Sequence, residues 1–495
     1  MSTLQTTQAA AAEDERYWRN SLNAVFAVTL ARLVWLALGK ADLFPDEAQY
    51  WVWSQHPAFG YYSKPPVVAW LIALTTRMFG DNELAVRLSA PLLHFAAALV
   101  IFALARRLYD ARVAAWSAVV YATLPGVSAS AVIMSTDAPL LLCWSVALLC
   151  FVRAREEGAA RWWIGVGIAA GLGLLSKYAM AYWLISALLF LSLYRDERRH
   201  LKPFLGALAL ALLIYAPNFV WNYAHGFASY HHTEDNAAFH GLLFHPGHLL
   251  LFLGSQFGVF GPLLMAALLA IAVQIHRLLH DRRAVLLAWF ALPTLAMMLV
   301  VSVMSRAEPN WAAPTYVSAT VLVVAWLLER GWRRVVVWSV ALHVTAAVAL
   351  LELNDAAHAL GYNLNAKYDV LHRVRGWSQL GQSVGAMLAE HPGAVLLARD
   401  RETMATLLYY VRPHPDLALK WNGDDGLPHD QFDLDADPQR FIGKDMLLVS
   451  PNPDIERIIA RFASAGPIQH IIIPLGGGDA RSYWVRFLSG FKGYH

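Results

Sequence analysis

Residues 21–53 read SLNAVFAVTLARLVWLALGKADLFPDEAQYWVW. The first part, 21–39, is an apolar run broken by a single charge, Arg32. A bilayer core about 30 Å thick needs roughly 20 apolar residues per helix, so the run reads as a membrane span. Pro45-Asp46-Glu47-Ala48-Gln49-Tyr50-Trp51 follows directly and places two carboxylates where the span ends. Trp51, Trp53, Phe59, Tyr61 and Tyr62 continue it with aromatic rings suited to the membrane interface and to an apolar pocket wall. Restricted solvent access there favours a carboxylate able to take up a proton.

The rest of the chain has the same texture. Of 495 residues, 57% are hydrophobic and 15% charged, against roughly 45–50% and 25% for a soluble domain. An ordinary cytosolic enzyme is excluded, and the 19 Trp, 19 Tyr and 22 Phe exclude a disordered chain. A net charge of +3 gives no reason to expect a nucleic-acid partner. Eleven long apolar runs fall near 21–39, 84–105, 113–133, 138–152, 162–176, 179–194, 203–220, 247–275, 284–304, 312–328 and 335–352. They predict a polytopic α-helical membrane protein with about eleven transmembrane helices. Residues 66–79 are apolar but too short to span, and read as an interfacial helix within an external segment 44–80.

Alternate loops carry 18 Lys/Arg on one side and 6 on the other. The rule that cytoplasmic loops are basic puts residues 1–20 in the cytoplasm, 21–352 in the membrane domain and 353–495 on the far side. With Glu13, Asp14, Glu15 and two arginines ahead of it, the first span is expected to act as an uncleaved anchor. Residues 353–495 hold 14 Lys/Arg and 16 Asp/Glu, and read as a soluble α/β domain. Strands are expected at 394–398, 445–449 and 470–474, and helices at 376–390, 402–411 and 453–464. Gly476-Gly477-Gly478 reads as an ordinary turn in preference to a phosphate loop. Cys143 and Cys150 share one apolar run seven residues apart, too far along a helix for a disulfide.

Polar residues are costly in a membrane protein, so those collected at one membrane face are candidates for chemistry. Asp46 and Glu47 lead. Lys64 stands before Pro65-Pro66, which hold it in an extended segment; it suits an anionic phosphate, or snorkels to lipid headgroups. Asp137, in the turn Ser135-Thr136-Asp137, is either a site residue or the N-cap of the helix after it. Lys177 puts a cation at an otherwise uncharged helix junction. Asn218 and Asn222, with Arg306, Glu308, Asn310 and Trp311, mark further helix ends, where such residues also cap and anchor. The loop 221–246 carries His225, His231, His232, His240 and His245. These leave a divalent metal open, although Tyr230-His231-His232 lacks the i, i+4 spacing of a zinc helix.

Taken together, Pro45–Trp53, Gly60–Pro66, Thr136–Trp144, Gly171–Tyr178, Pro217–Asn222 and Glu308–Tyr316 resemble the bacterial glycosyltransferase family 39 proteins, relatives of the lipid A aminoarabinose transferases and protein O-mannosyltransferases. The resemblance runs from about Leu43 to Tyr316, with a weaker continuation through Arg375-Gly376-Trp377. It implies the C-type glycosyltransferase fold, with a periplasmic C-terminal domain, in the bacterial inner membrane. It also implies a polyprenyl-phosphate-linked sugar donor and an acceptor that is lipid A, another envelope glycan or a protein. By motif position, Asp46 is the acidic residue of the first external loop that takes part in catalysis, accepting the proton of the acceptor hydroxyl, with Glu47 beside it and Asp137 as a third carboxylate. Lys64, Lys177 and Arg306 would meet the donor phosphate. Tyr50, Tyr61, Tyr62, Asn218, Asn222, Glu308, Asn310 and Trp311 would line the substrate pocket. Ser63 stands where the aminoarabinose transferases carry Glu, and Gln49 where they carry Arg. The implied reaction is direct displacement at the anomeric carbon, with no nucleotide or covalent enzyme intermediate required and no cofactor expected beyond the divalent metal that the histidines leave open. A transporter or flippase of a lipid-linked precursor is the competing expectation; its polar site would lie at the membrane midplane on broken, repeat-related helices.

Overall fold

Lipid offers the backbone no hydrogen-bond partners, so long apolar runs satisfy their own amides as helices. A computed structural model describes residues 3–237, 244–423 and 427–494. Among them, six helices are long and apolar enough to cross a membrane: Ala12–Ala37, Glu83–Leu108, Asp137–Glu157, Arg195–Ala224, Arg282–Met304 and Arg333–Ala359. A seventh candidate span, Pro246–Phe260 with Pro262–Val273, is bent by 117°. Its joint is Gly261 at φ +88°, followed by a proline; a Cβ on Gly261 would collide with the His343 imidazole, so only glycine fits. Of the other expected spans, 162–176, 179–194 and 312–328 are the shorter helices Ala160–Ser176, Met180–Leu193 and Thr315–Glu329. The run 113–133 is two helices, Ala111–Thr123 and Pro125–Ser130, divided where Pro125 withdraws an amide from the ladder. The expected interfacial helix is Val67–Phe79.

The chain divides into two compact units. The first comprises Met1–Ala37, Lys64–Val68 and Arg87–Val348. Its interior is aromatic: Phe151 meets Trp163, Trp183, Phe204 and Phe290 edge-on at 5.6–6.5 Å between centroids. Leu212, Leu213 and Val220 stay exposed on helix Leu201–Ala224, as a lipid-facing surface requires. Cys143 and Cys150 are both free thiols.

The second unit comprises Leu38–Ser63, Ala69–Val86 and Ala349–His495. Its five-stranded sheet runs β2-β1-β3-β5-β4, with β1 Val395–Ala398, β2 Ala418–Lys420, β3 Met446–Ser450, β4 Phe462–Gly476 and β5 Asp479–Phe491. β1 pairs in parallel with β2 and β3, and β5 runs antiparallel to both β3 and β4. β1 and β3 are fully buried runs, legible as such. The region 453–464, expected as a helix, holds only the turn Glu456–Ile459 before β4 begins at Phe462. Pairing along β5 overrides the local helical pattern there. Gly476, Gly477 and Gly478, all at positive φ, make the turn between β4 and β5, as an ordinary turn would. The helices expected at 376–390 and 402–411 are Trp377–Glu390 and Arg401–Tyr410. They pack tightly, since a Cβ on Gly381 would overlap Tyr410.

Candidate functional site

In the second unit, Phe44 and Pro45 start a helix, Pro45–Gln55, whose first turn carries Asp46 and Glu47. The two carboxylates have different surroundings. Glu47 is fully buried, and its Oε2 accepts the Phe44 amide at 2.9 Å, closing the helix start. The Asp46 side chain keeps 42% of its surface exposed. Asp46 and Gln49 lie three residues apart on one helix face. Both accept from Arg401 Nη1, Asp46 Oδ1 at 2.7 Å. Burial opposes the Arg401 charge, but the Asp46 carboxylate outweighs it and raises the guanidinium above its ordinary value. Arg401 opens helix Arg401–Tyr410, which Asp400 caps by accepting the Thr403 amide at 2.9 Å.

The aromatic residues of this segment form its frame. Tyr61 stacks on Trp53, with centroids 4.6 Å apart, and accepts the Ala58 amide at 3.0 Å. Burial pushes its hydroxyl up to about 12. Tyr50 is buried against Trp53. Tyr62 turns toward residues of the C-terminal sheet domain, its amide reaching Gln431 Oε1 at 2.6 Å and its hydroxyl the Pro428 carbonyl at 2.9 Å.

In the first unit, two expected residues come together around Asp137. Lys177 Nζ donates to Oδ1 at 2.6 Å and Asn310 Nδ2 to Oδ2 at 2.8 Å. Asp137 is not an N-cap: Thr136 holds that position and Asp137 is the first helical residue, near the positive end of the helix dipole. Lys177 leaves helix Ala160–Ser176 in extended backbone. Asp137 and Asn310 border an apolar cavity of about 300 Å³ that Tyr121, Leu124, Val259 and Tyr316 also line. Tyr316 donates to the buried Gln256 at 2.6 Å, and Gln256 donates to the Pro309 carbonyl at 3.2 Å, bracing the turn that carries Asn310. Neither Gln256 nor Tyr316 stood out as a functional residue in the sequence.

Asn218 and Asn222, one turn apart and fully buried, form a separate network with Tyr178. Arg306 and Glu308 are exposed and pair with each other at 3.2 Å. Trp311 packs partly buried against the core of the first unit. Lys64 is half-buried just before Pro65-Pro66.

The histidines do not assemble into a metal centre: among the described residues no three His, Cys, Asp or Glu side chains converge as a ligand set. His231 lies 3.8 Å from Glu234; His240 falls outside the described residues. Sequence reasoning also missed Arg401, since nothing local links it to a carboxylate 355 positions earlier.

Residues 63–221 match the family model described as dolichyl-phosphate-mannose-protein mannosyltransferase. The chain is 32% identical to the lipid A galacturonosyltransferase RgtD of Rhizobium johnstonii over 433 residues, covering 87% of this chain and 90% of that one. The chain belongs to glycosyltransferase family 39. A second relative, the undecaprenyl phosphate-alpha-4-amino-4-deoxy-L-arabinose arabinosyl transferase of Pseudomonas aeruginosa, is 30% identical over 186 residues, 34% of each chain. The fold resembles that of ArnT from Cupriavidus metallidurans, solved bound to undecaprenyl phosphate, with a TM-score of 0.64 and 19% identity over 93% of this chain and 97% of that one. The family 39 chain thus has an ArnT-like C-type glycosyltransferase fold with a small C-terminal sheet domain.

Proposed function

We propose that this protein is a membrane glycosyltransferase that moves a sugar from a polyprenyl-phosphate-linked donor onto lipid A, or another envelope glycan or protein, outside the inner membrane. Family 39 membership and the near full-length similarity to a lipid A galacturonosyltransferase support the reaction class. The observation that carries the residue assignment is the accessible Asp46 carboxylate at the head of helix Pro45–Gln55, beside a buried Glu47 already engaged by the backbone.

The acceptor hydroxyl oxygen forms a bond to the anomeric carbon as the bond from that carbon to the phosphate oxygen breaks. The bonding pair leaves with polyprenyl phosphate, and the hydroxyl proton passes to Asp46. One displacement inverts the anomeric centre and requires no covalent enzyme intermediate. We assign Lys64 to the donor phosphate because Pro65-Pro66 fix its segment; a cation there stabilises the charge that grows on the leaving group. Lys177, clasped by the buried Asp137, is assigned to holding the architecture around the Asn310 turn, and the exposed Arg306, paired with Glu308, to the donor phosphate. Residues 353–495 are assigned to the periplasm, where they help select the acceptor.

Purified protein supplied with a polyprenyl-phosphate sugar and lipid A is expected to transfer sugar. Asp46→Asn is expected to lose about 10²–10⁴ in rate, the usual worth of a general base. Glu47→Gln and Asp137→Asn are the parallel controls. A fully active Asp46→Asn beside an inactive control moves the base to that control; full activity in all three overturns the assignment of the base to this set of carboxylates, and no transfer by wild type overturns the enzyme reading. For the topology, a cysteine placed by Ser489→Cys in β5 is expected to react with a membrane-impermeant thiol reagent in outer-membrane-permeabilised cells. Labelling only after inner-membrane lysis overturns the periplasmic assignment.

A further inference from the structure

Arg401 occupies a distinctive place in the soluble domain. It follows the carboxyl end of β1 by three residues, and β1 is where the sheet order reverses: the chain goes from β1 to β2 on one side and returns to β3 on the other. Open parallel sheets bind ligands at such a switch point, outside the carboxyl ends of their strands. The residue presented there is a guanidinium, whose planar fork matches a carboxylate in two-point contact. One nitrogen, Nη1, reaches both Asp46 Oδ1 and Gln49 Oε1, while Nη2 lies 4.0 Å from Glu402, beyond hydrogen-bond range. The pair is partly open to solvent, with side-chain exposures of 33% for Arg401 and 42% for Asp46, and an ion pair that water reaches is held less firmly than a buried one.

While Arg401 Nη1 donates to Asp46 Oδ1, that oxygen is not open to an acceptor hydroxyl. For Asp46 to accept a proton, Arg401 needs another anion to hold. We propose that this anion is a carboxylate on the transferred sugar: Arg401 reads a hexuronic acid carried on polyprenyl phosphate, and its exchange from Asp46 to that carboxylate frees Asp46 to act. The proposal rests on the glycosyltransferase reading and adds the sugar class to it. The sugar carboxylate sits within the width of one pyranose ring from the reacting carbon, as Arg401 sits one contact from the base. The bonds made and broken are those of the displacement already given, and the uronate stays ionised throughout. A neutral sugar leaves Arg401 on Asp46 and is transferred slowly.

The test uses the full chain in nanodiscs with two donors that differ only at C6, polyprenyl-phosphate galacturonate and polyprenyl-phosphate galactose, and with phosphorylated and dephosphorylated lipid A as acceptors. Wild type is expected to favour the uronate by about 10- to 100-fold in kcat/KM, the worth of a charge-assisted contact. Arg401→Met is expected to bring that ratio close to one, and Arg401→Lys, which keeps the charge without the fork, to fall between. The wild-type ratio and Arg401→Lys carry the test where Arg401→Met does not fold. Equal or better use of galactose by wild type overturns the proposal. So does an Arg401→Met protein that keeps the preference, or that loses both donors in equal proportion, which would reduce Arg401 to holding Asp46. A change confined to the preference for phosphorylated acceptor assigns Arg401 to the acceptor phosphate and overturns the sugar reading. Transfer of neither sugar by wild type overturns the glycosyltransferase reading itself, and the proposal with it.

Discussion

Two carboxylate–cation pairs, one in each unit, share the same chemistry and differ in burial. Asp137 and Lys177 expose 8% and 18% of their side chains, and Asn310 takes the second Asp137 oxygen. Asp46 and Arg401 expose 42% and 33%. Breaking a buried pair strands a charge away from water and costs about 3–5 kcal/mol. An exposed pair contributes about 0.2–1 kcal/mol, because solvent screens it and readily replaces either partner. The first pair is thus held closed more firmly than the second, and partner exchange at the second is what the proposed role of Asp46 as proton acceptor needs. Equal charge and equal distance do not imply equal roles; access to water decides.

Asp46→Asn tests this contrast most severely. Its rate loss of about 10²–10⁴ is expected without a matching loss of stability, so thermal unfolding in detergent should shift by the equivalent of no more than about 1 kcal/mol. Asp137→Asn should do the reverse in stability: it leaves Lys177 without its counter-charge, and a loss of up to about 3–5 kcal/mol is expected in the same measurement. Equal destabilisation by the two substitutions would break the comparison. Lys64→Ala carries the smallest expected effect, a loss of about 1.5–3 kcal/mol in donor binding, or one to two decades in Kd for polyprenyl phosphate. Unchanged binding would return Lys64 to a headgroup anchor.

Much of the architecture was legible because membrane insertion writes itself locally. All eleven apolar runs are helical in whole or part, and the breaks in 113–133 and 247–275 carry their signal in Pro125 and in Gly261-Pro262. Reading 247–275 as one straight span missed the bend because hydropathy sums over a window and is insensitive to a single φ of +88°. In the soluble domain β1 and β3 were readable as buried apolar strands. β2, only three residues long, and most of β4 and β5 were not, since their pairing rests on partners distant in the chain.

The candidate site divides along the same line. The sequence by itself determined that Asp46, Glu47 and Asp137 are the carboxylates to examine, because motif order and the cost of polar groups near a membrane are properties of short segments. It also placed Lys64 and Lys177 as cations near helix ends. Only the tertiary structure decided which carboxylate is engaged and which is accessible: Glu47 turned back onto the Phe44 amide, Asp137 clasped by Lys177 and Asn310, and Asp46 exposed beside Arg401. Those partners lie 3, 40, 173 and 355 positions away in the chain. Of these, the shortest is a local capping pattern that sequence spacing can encode. The longer ones arise when helices and sheet pack, and burial, which fixes how strongly charges interact, exists only once they have.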